Sequence, residues 1–424
     1  MTILLIYFAS IFLLKFSCNS YFNFRKTFFA AGVGCIFKQA LNIFPTKESL
    51  MPSRLIVVKV GTNGITDSEG NLDQKEMQNL ASQIAAAHKQ GDKIILVTSG
   101  AVSAGIAELG IPPKPKDVVF QQAAAAAGQS VLMAKYREIF KKYGLKVAQI
   151  LLTAEDLSNR ASYVHTCDVL SLLLKIGVVP IINENDVTSV DELMHSEGYK
   201  INFSDNDKLS VLVAGALCAD LVIILSDVEG LYTTDPAKPE AKLIPTVDAI
   251  TTELKESVNG KSKRGRGGIQ SKLQAAEIAT QCGIPVIIAN SRRPNVILDI
   301  LSGKEVGTYF KPQSRMPAVK RWIAYGAAVK GTIYVNEGAK KAILEGSSLL
   351  PVGVTKILGT FSEGDVVSLA DEKGEFARGN PNYSSTQLNL IKGLKVSEVH
   401  KKLGADKPKE VIEHRNIHLT EGTQ

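Results

Sequence analysis

Cysteine and histidine are scarce in this chain, and neither residue type forms a metal-binding pattern. The 424 residues include five cysteines and six histidines, with no CxxC pair and no histidine cluster. This spacing argues against a structural zinc site and against a thiol redox motif. Cys167, Cys218 and Cys282 lie in apolar, helix-like contexts, and we expect them to be free, buried thiols. Free thiols indicate a reducing compartment, and we predict a cytoplasmic location.

The sequence also lacks the short motifs of several common enzyme classes. It contains no GxxxxGK[ST], so it is not a P-loop enzyme, and residues 61–64 lack the GxGxxG spacing of a dinucleotide site. Neither a GxSxG elbow nor an HExxH zinc motif is present. The net charge of +7 does not indicate a general nucleic-acid binder, because residues 1–50 supply +4 of it from five basic residues and one acidic residue.

Acidic residues are absent from residues 1–47, and this absence sets the segment apart from the rest of the chain. Residues 1–50 also hold 11 of the 27 aromatic residues. The apolar run at 3–14 is shorter than the roughly 17–25 residues that span a bilayer. The segment could be a transit-like or anchoring extension, a disordered appendage, or untranslated sequence before a start at Met51. We favour the start at Met51, and none of the three makes the rest of the chain a membrane protein.

Between residue 54 and about residue 308, short apolar runs alternate with longer helical stretches. The runs are rich in β-branched residues, as in strands buried on both faces of a largely parallel sheet. Strands are predicted at 55–60, 94–98, 178–182, 221–225 and 286–289, and helices at 73–90, 123–143, 162–175, 207–216 and 269–282. Left-handed C-caps are expected at Gly91, Gly144, Gly177 and Gly283. The pattern predicts the α/β class, as a three-layer α/β/α sandwich.

The pattern changes near residue 310, where Pro312 and Pro317 flank a polar stretch typical of a linker. Glycine-punctuated segments at 331–335, 354–358, 365–369 and 374–379 then predict a small β-rich, barrel-like domain. The last residues are polar and charged, and we expect them to fray. The predicted organisation is an extension (1–50), an α/β domain (51–310), a linker (311–319), a β-rich domain (320–397) and a polar tail (398–424).

Polar residues concentrate where the predicted strands end, and in open α/β sheets ligands bind at that edge. Lys59 lies in an apolar strand, where it is costly unless it meets an anion, and glycines follow at 61 and 64. Ser99 follows the next strand and opens a helix of small residues, a ready anion site. The structural alternatives are a lysine that snorkels from the sheet edge and a simple N-cap.

Carboxylate and amide side chains follow the later strands. Residues 183–186 read Asn-Glu-Asn-Asp and could bind a ligand ammonium, although a solvated turn would have the same composition. Residues 205–207 read Asp-Asn-Asp before an apolar helix, where one residue could be the cap and the others could hold an ammonium group and orient lysines. Residues 226–227 read Ser-Asp after a further strand, and turn chemistry explains much of that pattern.

A basic segment at 261–266 leads through two glycines into a predicted helix. Lys272 lies in the first turn of this helix, where a lysine is unfavourable with the helix dipole. That conflict favours a polyphosphate cradle over a solvated loop. Two lysines, strand-end carboxylates and glycine-rich helix starts together predict phosphoryl transfer, which depends on positioning and charge neutralisation.

These motifs, in this order, resemble the amino-acid kinase family. They are VKVGT (58–62), VTSGA (97–101), INEND (182–186), DND (205–207) and GGIQSK (267–272). The INEND and DND pair resembles the glutamate 5-kinase branch of that family. KRWI (320–323) and GSSLLP (346–351) resemble the PUA domain appended to those enzymes, and the resemblance covers about residues 54–395.

The resemblance implies transfer of the γ-phosphoryl group of ATP to the side-chain carboxylate of L-glutamate, the first step of proline biosynthesis. Lys59 and Lys272 would be catalytic and neutralise charge on the transferred group, and Asp207 would hold both lysines. Glutamate would contact Ser99, Asp186 and Asn206, with Asp205 close by. The implied nucleotide contacts are Lys59, Ser226, Asp227, Arg266, Gly267, Gly268, Ile269, Gln270, Ser271 and Lys272.

The resemblance further implies a cofactor and partners. Mg²⁺ would bridge ATP oxygens and keep several waters. Members of the family are often inhibited by proline, form dimers or tetramers, and make a product for a glutamyl phosphate reductase.

Alternatives are a relative that acts on aspartate, N-acetylglutamate or a nucleoside monophosphate, an RNA-binding PUA protein with a degenerate kinase site, and a membrane-anchored regulator. The complete motif set and the acids within 320–395 argue against the RNA-binding alternative.

Overall fold

The computed structural model describes residues 53–111, 117–189, 206–234, 236, 238–259, 268–313, 316–404 and 407–420. The elements given below lie in the unit Arg54–Gln424. The hypotheses about residues 1–50 and the start at Met51 lie outside the described residues. Of the helices in the described ranges, none is long and apolar enough to cross a membrane.

The first part of the chain forms a central sheet with eight strands in the described residues. They are β1 Leu55–Val60, β2 Lys93–Val97, β3 Lys146–Leu152, β4 Val178–Glu184, β5 Leu221–Ser226, β6 Thr246–Val247, β7 Val286–Asn290 and β8 Thr308–Phe310. Their order is β3-β4-β2-β1-β5-β7-β8-β6, and all neighbours are parallel except β7 and β8. The five predicted strands are confirmed to within two residues at each end, whereas β3, β6 and β8 were not predicted.

Helices cover both faces of this sheet. They are α1 Gln74–Lys89, α2 Ala101–Leu109, α3 Val118–Lys142, α4 Ala154–Ser158, α5 Arg160–Lys175, α6 Asn206–Leu217, α7 Thr252–Asn259, α8 Gly268–Gln281 and α9 Val296–Leu301. Side chains of β1 alternate between two cores: Ile56 and Val58 pack with α1, α3 and α9, while Val57 packs with α5, α6 and α8. The predicted three-layer α/β/α sandwich is confirmed. The four C-cap glycines have φ of 97°, 74°, 74° and 77°, as expected.

Helices α2 and α3 pack unusually close together, because glycines face each other across the contact. A Cβ on Gly105 would lie 1.7 Å from the carbonyl oxygen of Ala124, and one on Gly128 would lie 2.0 Å from that of Ala101. Only residues without a side chain permit this approach. The contact fixes the middle of α3 against the start of α2, directly after the end of β2.

The C-terminal part forms a second sheet of five described strands. These are β9 Val329–Val335, β10 Val354–Gly359, β11 Val366–Asp371, β12 Gly374–Gly379 and β13 Ile417–Leu419, in the order β10-β9-β11-β12-β13. Helices α11 Glu337–Leu344, α12 Ser385–Ile391 and α13 Val396–Leu403 accompany it, after a short α10 at Ala318–Arg321. The four predicted strands are confirmed.

The prediction of a fraying tail from residue 398 is wrong for the described residues. Strand β13 pairs antiparallel with β12, and Arg378 lies opposite His418. Val411, Ile412 and Ile417 are buried in the core of this domain. The high charge of the segment concealed these few apolar anchors, and their burial holds the chain end in the fold.

The two sheets are connected by a segment with fixed contacts. Residues 311–313 hydrogen-bond back to the first part of the chain, Lys311 N to Val247 O and Gln313 N to Thr280 O. The buried Arg321 then donates from Nε to Gly215 O (3.1 Å), at the C-terminal end of α6. The guanidinium thereby adds a donor to a carbonyl at the helix end, which also accepts from Cys218 N (3.4 Å).

Candidate active site

Four neighbouring strands place the polar residues of the candidate site along one edge of the sheet. In the parallel register Lys59 of β1 lies opposite Val97 of β2 and Ile224 of β5, and Val97 lies opposite Ile182 of β4. The chain therefore leaves the carboxyl ends of β4, β2, β1 and β5 side by side. This edge is where open α/β sheets bind ligands.

Asp207, in the first turn of α6, joins the two lysines. Its Oδ1 lies 2.5 Å from Lys59 Nζ and its Oδ2 lies 3.1 Å from Lys272 Nζ. The side chain of Asp207 is 1% exposed, that of Lys59 is 6% exposed and that of Lys272 is 13% exposed. Ser271 Oγ also donates to Asp207 Oδ2 (3.2 Å), and Lys272 Nζ donates to Gly268 O (3.1 Å). One buried carboxylate thus fixes two ammonium groups, one from strand β1 and one from helix α8.

The charges of this cluster favour ionised Asp207. Burial alone raises the pKa of the Asp207 carboxyl, but the two neighbouring ammonium groups and their hydrogen bonds more than offset burial and hold its pKa below the ordinary value. Two cations share one anion, so the cluster carries an excess positive charge. An anionic ligand would complete its charge balance.

A cleft opens beside the two lysines. Its lining residues come from β1 and the turn after it, from the end of β5 and from α8. They are Lys59, Gly61, Thr62, Asn63, Gly64, Leu225, Ser226, Asp227 and Lys272. We call this space the lysine cleft. Asp227 is held at its mouth by Ser226 Oγ (3.1 Å) and Asn63 Nδ2 (3.4 Å).

A network of amides lies next to the cluster, on the side of β2 and β4. Asn206 Nδ2 donates to Thr98 O (3.0 Å), Ser99 Oγ (2.9 Å) and Asn183 Oδ1 (3.0 Å). Below it, Thr98 Oγ1 hydrogen-bonds Tyr136 OH (2.8 Å) in the core, where burial raises the pKa of the Tyr136 hydroxyl. Asn206 and Asp207 are consecutive residues, so one helix N-terminus carries both the amide network and the lysine cluster.

The structure brings most of the predicted site residues to this edge. Asp186 lies half-buried in the turn that follows β4. Gly268 and Gln270 lie in the first turn of α8, and the partly buried side chain of Ile269 packs against the hydrophobic core. Asp205, Arg266 and Gly267 lie outside the described residues.

Three features of the site were not predicted. Ser271 was expected at the nucleotide, but its hydroxyl hydrogen-bonds Asp207. Thr62 and Asn63 line the lysine cleft although only the adjacent glycines attracted notice. Gln129 of α3 accepts a hydrogen bond from Asn183 Nδ2 (2.9 Å), and its place in a run of small residues, AAAAAGQS, was the only available signal.

Comparison with known proteins identifies the family of the chain. The model of the amino acid kinase family matches residues 54–290, and that of the PUA domain matches residues 331–403. A glutamate 5-kinase of Dehalococcoides mccartyi is 43% identical over 367 residues, which cover 85% of this chain and 97% of that protein. A glutamate 5-kinase of Methanosarcina acetivorans is 43% identical over 378 residues, covering 87% and 96%. The solved carbamate kinase from Giardia lamblia bound to AMP-PNP is 18% identical, covers 62% of this chain and 99% of its own, and has a TM-score of 0.45. The chain belongs to the amino acid kinase family and carries a C-terminal PUA domain.

Proposed function

We propose that this chain transfers the γ-phosphoryl group of ATP to the side-chain carboxylate of L-glutamate, giving L-glutamyl 5-phosphate, the first step of proline biosynthesis. The observation that carries the proposal is the cluster in which Asp207 fixes Lys59 and Lys272 at the lysine cleft. Relatives named glutamate 5-kinase, 43% identical over most of the chain, support glutamate as the acceptor.

The chemistry brings two anions together, and the lysine cluster suits that task. A carboxylate oxygen attacks the γ-phosphorus, and the bond from that phosphorus to the β,γ-bridging oxygen breaks, which leaves ADP. Lys59 and Lys272 would neutralise charge on the equatorial oxygens of the transferred group. Asp207, which they share, would act as a positioning residue, because its two oxygens fix where both ammonium groups point.

The amide network would hold the amino acid. Asn206 Oδ1 is buried and has no hydrogen-bond partner among the described residues, so it can accept from a ligand ammonium. Ser99 Oγ and Asp186 lie along the same edge of the sheet. Because Asn206 precedes Asp207 directly, an amino acid held here would present its side chain toward the two lysines.

The nucleotide would occupy the lysine cleft, with Ser226 and Asp227 at its mouth and the first turn of α8, including Gly268 and Gln270, against the phosphates. The residues present fit a hydrated Mg²⁺ on ATP: Asp227 offers an exposed carboxylate, whereas both oxygens of Asp207 already face lysines. Mg²⁺ would supply charge neutralisation on the phosphates and keep several waters. Arg266 and Gly267 remain proposed nucleotide contacts, and Asp205 a proposed neighbour of glutamate.

The wider biology follows from the same proposal. None of the three described cysteines forms a disulfide, which suits the cytoplasm. Inhibition by proline, assembly as a dimer or tetramer, and delivery of the acyl phosphate to a reductase are part of the proposal. The domain boundaries at 51–310 and 320–397 are proposed as well, with the second domain extended to β13.

The test is ATP turnover by the full chain with hydroxylamine present to trap an acyl phosphate. Wild type should give γ-glutamyl hydroxamate with glutamate and none with aspartate or N-acetylglutamate. Lys272→Ala should lower the rate by about 100- to 1,000-fold, as does loss of other groups that stabilise transition-state charge. A folded wild-type protein that binds ATP and yields no hydroxamate would refute the glutamate assignment.

A further inference from the structure

In the side-chain amide of Gln129, the oxygen accepts a hydrogen bond and the nitrogen has no partner among the described residues. The residue is 9% exposed, and its Oε1 accepts a hydrogen bond from Asn183 Nδ2 (2.9 Å). Its Nε2 is buried and has no hydrogen-bond partner in the part of the chain that the structure describes. A buried donor without an acceptor is costly and rare in folded proteins, so such a group calls for an explanation.

The position of Gln129 is set by the close contact between α2 and α3. Gly128 lies against the backbone of Ala101 at the start of α2, and no side chain fits between them. This contact places the next residue, Gln129, beside the end of β2 and the Ser99 turn. Its amide then meets Asn183 of β4, which also contacts Asn206. Gln129 is therefore the far end of the amide network, on the side away from the lysines.

We propose that Gln129 is a further substrate-binding residue, whose Nε2 donates a hydrogen bond to the α-carboxylate of the amino-acid substrate. The inference rests on the proposed function and names a contact that the motif residues do not provide. Asn206 Oδ1 is a buried acceptor without a described partner, and Gln129 Nε2 is a buried donor without one. An α-amino acid offers the complement of this pair, an ammonium group and a carboxylate.

The width of the sheet edge indicates that Gln129 contacts the α-carboxylate of the substrate rather than its side-chain carboxylate. Lys59 and Asn183 lie on β1 and β4, with β2 between them. Adjacent strands are about 4.8 Å apart, so the backbones of Lys59 and Asn183 are roughly 10 Å apart. Glutamate separates its two carboxyl carbons by roughly 5 Å, given carbon–carbon bonds of about 1.5 Å. A glutamate lying along this edge can therefore place its α-carboxylate beside Gln129 while its side-chain carboxylate points toward the lysine cluster.

Two substitutions separate ligand binding from support of the network. Gln129→Glu keeps an acceptor for Asn183 Nδ2 and removes the donor, whereas Gln129→Met removes both. Gln83→Glu is the matched control: Gln83 is 2% exposed, and its Nε2 already donates to Asn79 Oδ1 (3.0 Å) while its Oε1 accepts from Ile297 N (2.8 Å). The full chain is used, with circular dichroism and the KM for ATP as checks of the fold.

We expect both Gln129 variants to raise the KM for glutamate by about 10- to 100-fold, the effect of one hydrogen bond to a charged group, with the KM for ATP unchanged. Gln83→Glu should leave both constants as in wild type. Equal KM values for glutamate in wild type and in Gln129→Glu would overturn the inference. A wild type that forms no hydroxamate would instead refute the proposed function.

An analogue assigns the contacted group. 4-Aminobutyrate keeps the amine and the reacting carboxylate of glutamate but lacks the α-carboxylate. Its inhibition constant against glutamate should be the same, within about twofold, in wild type and Gln129→Met, because the lost donor has no partner on it. A loss of affinity for 4-aminobutyrate as large as that for glutamate would show that Gln129 acts elsewhere, and would overturn the assignment.

Discussion

Replacing Asp207 with asparagine should separate the structural role of this carboxylate from its role in catalysis. The substitution keeps the shape of the side chain and removes the charge that faces Lys59 at 2.5 Å and Lys272 at 3.1 Å. Loss of one member of a buried ion pair typically costs about 3–5 kcal/mol, because the remaining charge stays buried without compensation. Lys59 and Asp207 are nearly inaccessible, so we expect a cost within this range.

The assay is chemical denaturation at pH 7, read as the free energy of unfolding. Asp248→Asn is the control, because Asp248 also lies 2.5 Å from a lysine, Lys311, but the two side chains are 78% and 54% exposed. Exposed ion pairs contribute little to stability, so this variant should have the same free energy of unfolding as wild type. A change in Asp207→Asn no larger than that in Asp248→Asn would refute the account of the buried cluster.

The pH dependence has a definite sign. Because the folded pKa of Asp207 lies below its ordinary value of 3.8, its contribution to stability is complete above the unfolded pKa. The contribution is lost as pH falls from there through the folded pKa. The difference between wild type and Asp207→Asn should thus be constant near neutral pH and shrink below about pH 4. A difference that stays constant from pH 7 to pH 3 would contradict this.

Ligand binding gives the second readout. With Asp207 neutral, the two lysines present a larger net positive charge to ATP, so the affinity for ATP should hold or increase. The kcat should fall, because the ammonium groups lose the carboxylate that fixes their direction. Reduced ATP affinity with an unchanged kcat would show that Asp207 serves the nucleotide rather than the positions of the lysines.

Two further substitutions test the scaffold. Gly128→Ala places a Cβ 2.0 Å from Ala101 O, and it should destabilise the fold by about 1–3 kcal/mol and raise the KM for glutamate. Gly338→Ala is the control and should do neither, because the nearest contact of its Cβ is at 3.6 Å. Equal thermal midpoints for the two variants would contradict the close helix contact. Arg321→Met removes the side-chain donor to the carbonyls of Gly215 and Met316. It should lower the free energy of unfolding by about 1–3 kcal/mol while kcat per folded molecule is kept. A selective loss of kcat would contradict a purely structural role.

The fold was largely predictable because its core strands are short apolar runs that stand out in the sequence. The run at 221–225 is apolar throughout and the run at 55–60 is apolar apart from Lys59, as expected for strands buried on both faces. Strand β3 was missed because it is the edge of the sheet and most of its residues are only half-buried or exposed, so KVAQILL does not form such a run. The charged C-terminal segment was misjudged for the opposite reason, since a few buried residues decide its structure.

The site was predictable only in its parts. Strand-end polarity identified Lys59, the amide-rich segments and the start of α8 as candidates. Composition could not show that Asp207 reaches lysines 148 and 65 positions away, and the resemblance supplied that link. Gln129 was missed by both routes, because its function depends on a glycine contact between two helices that only the folded chain reveals.

The most direct test follows oxygen atoms through the reaction. The full chain is given ATP and glutamate labelled with ¹⁸O in the side-chain carboxylate, and released phosphate is analysed by mass spectrometry. If that carboxylate accepts the phosphoryl group, one of its oxygens bridges the side-chain carboxyl carbon and phosphorus. When the α-amine of the product attacks this carbon and closes a ring, the bridging oxygen leaves with phosphate. The account predicts one ¹⁸O per phosphate released in this way. Unlabelled phosphate released in step with this cyclisation of glutamate would contradict the account.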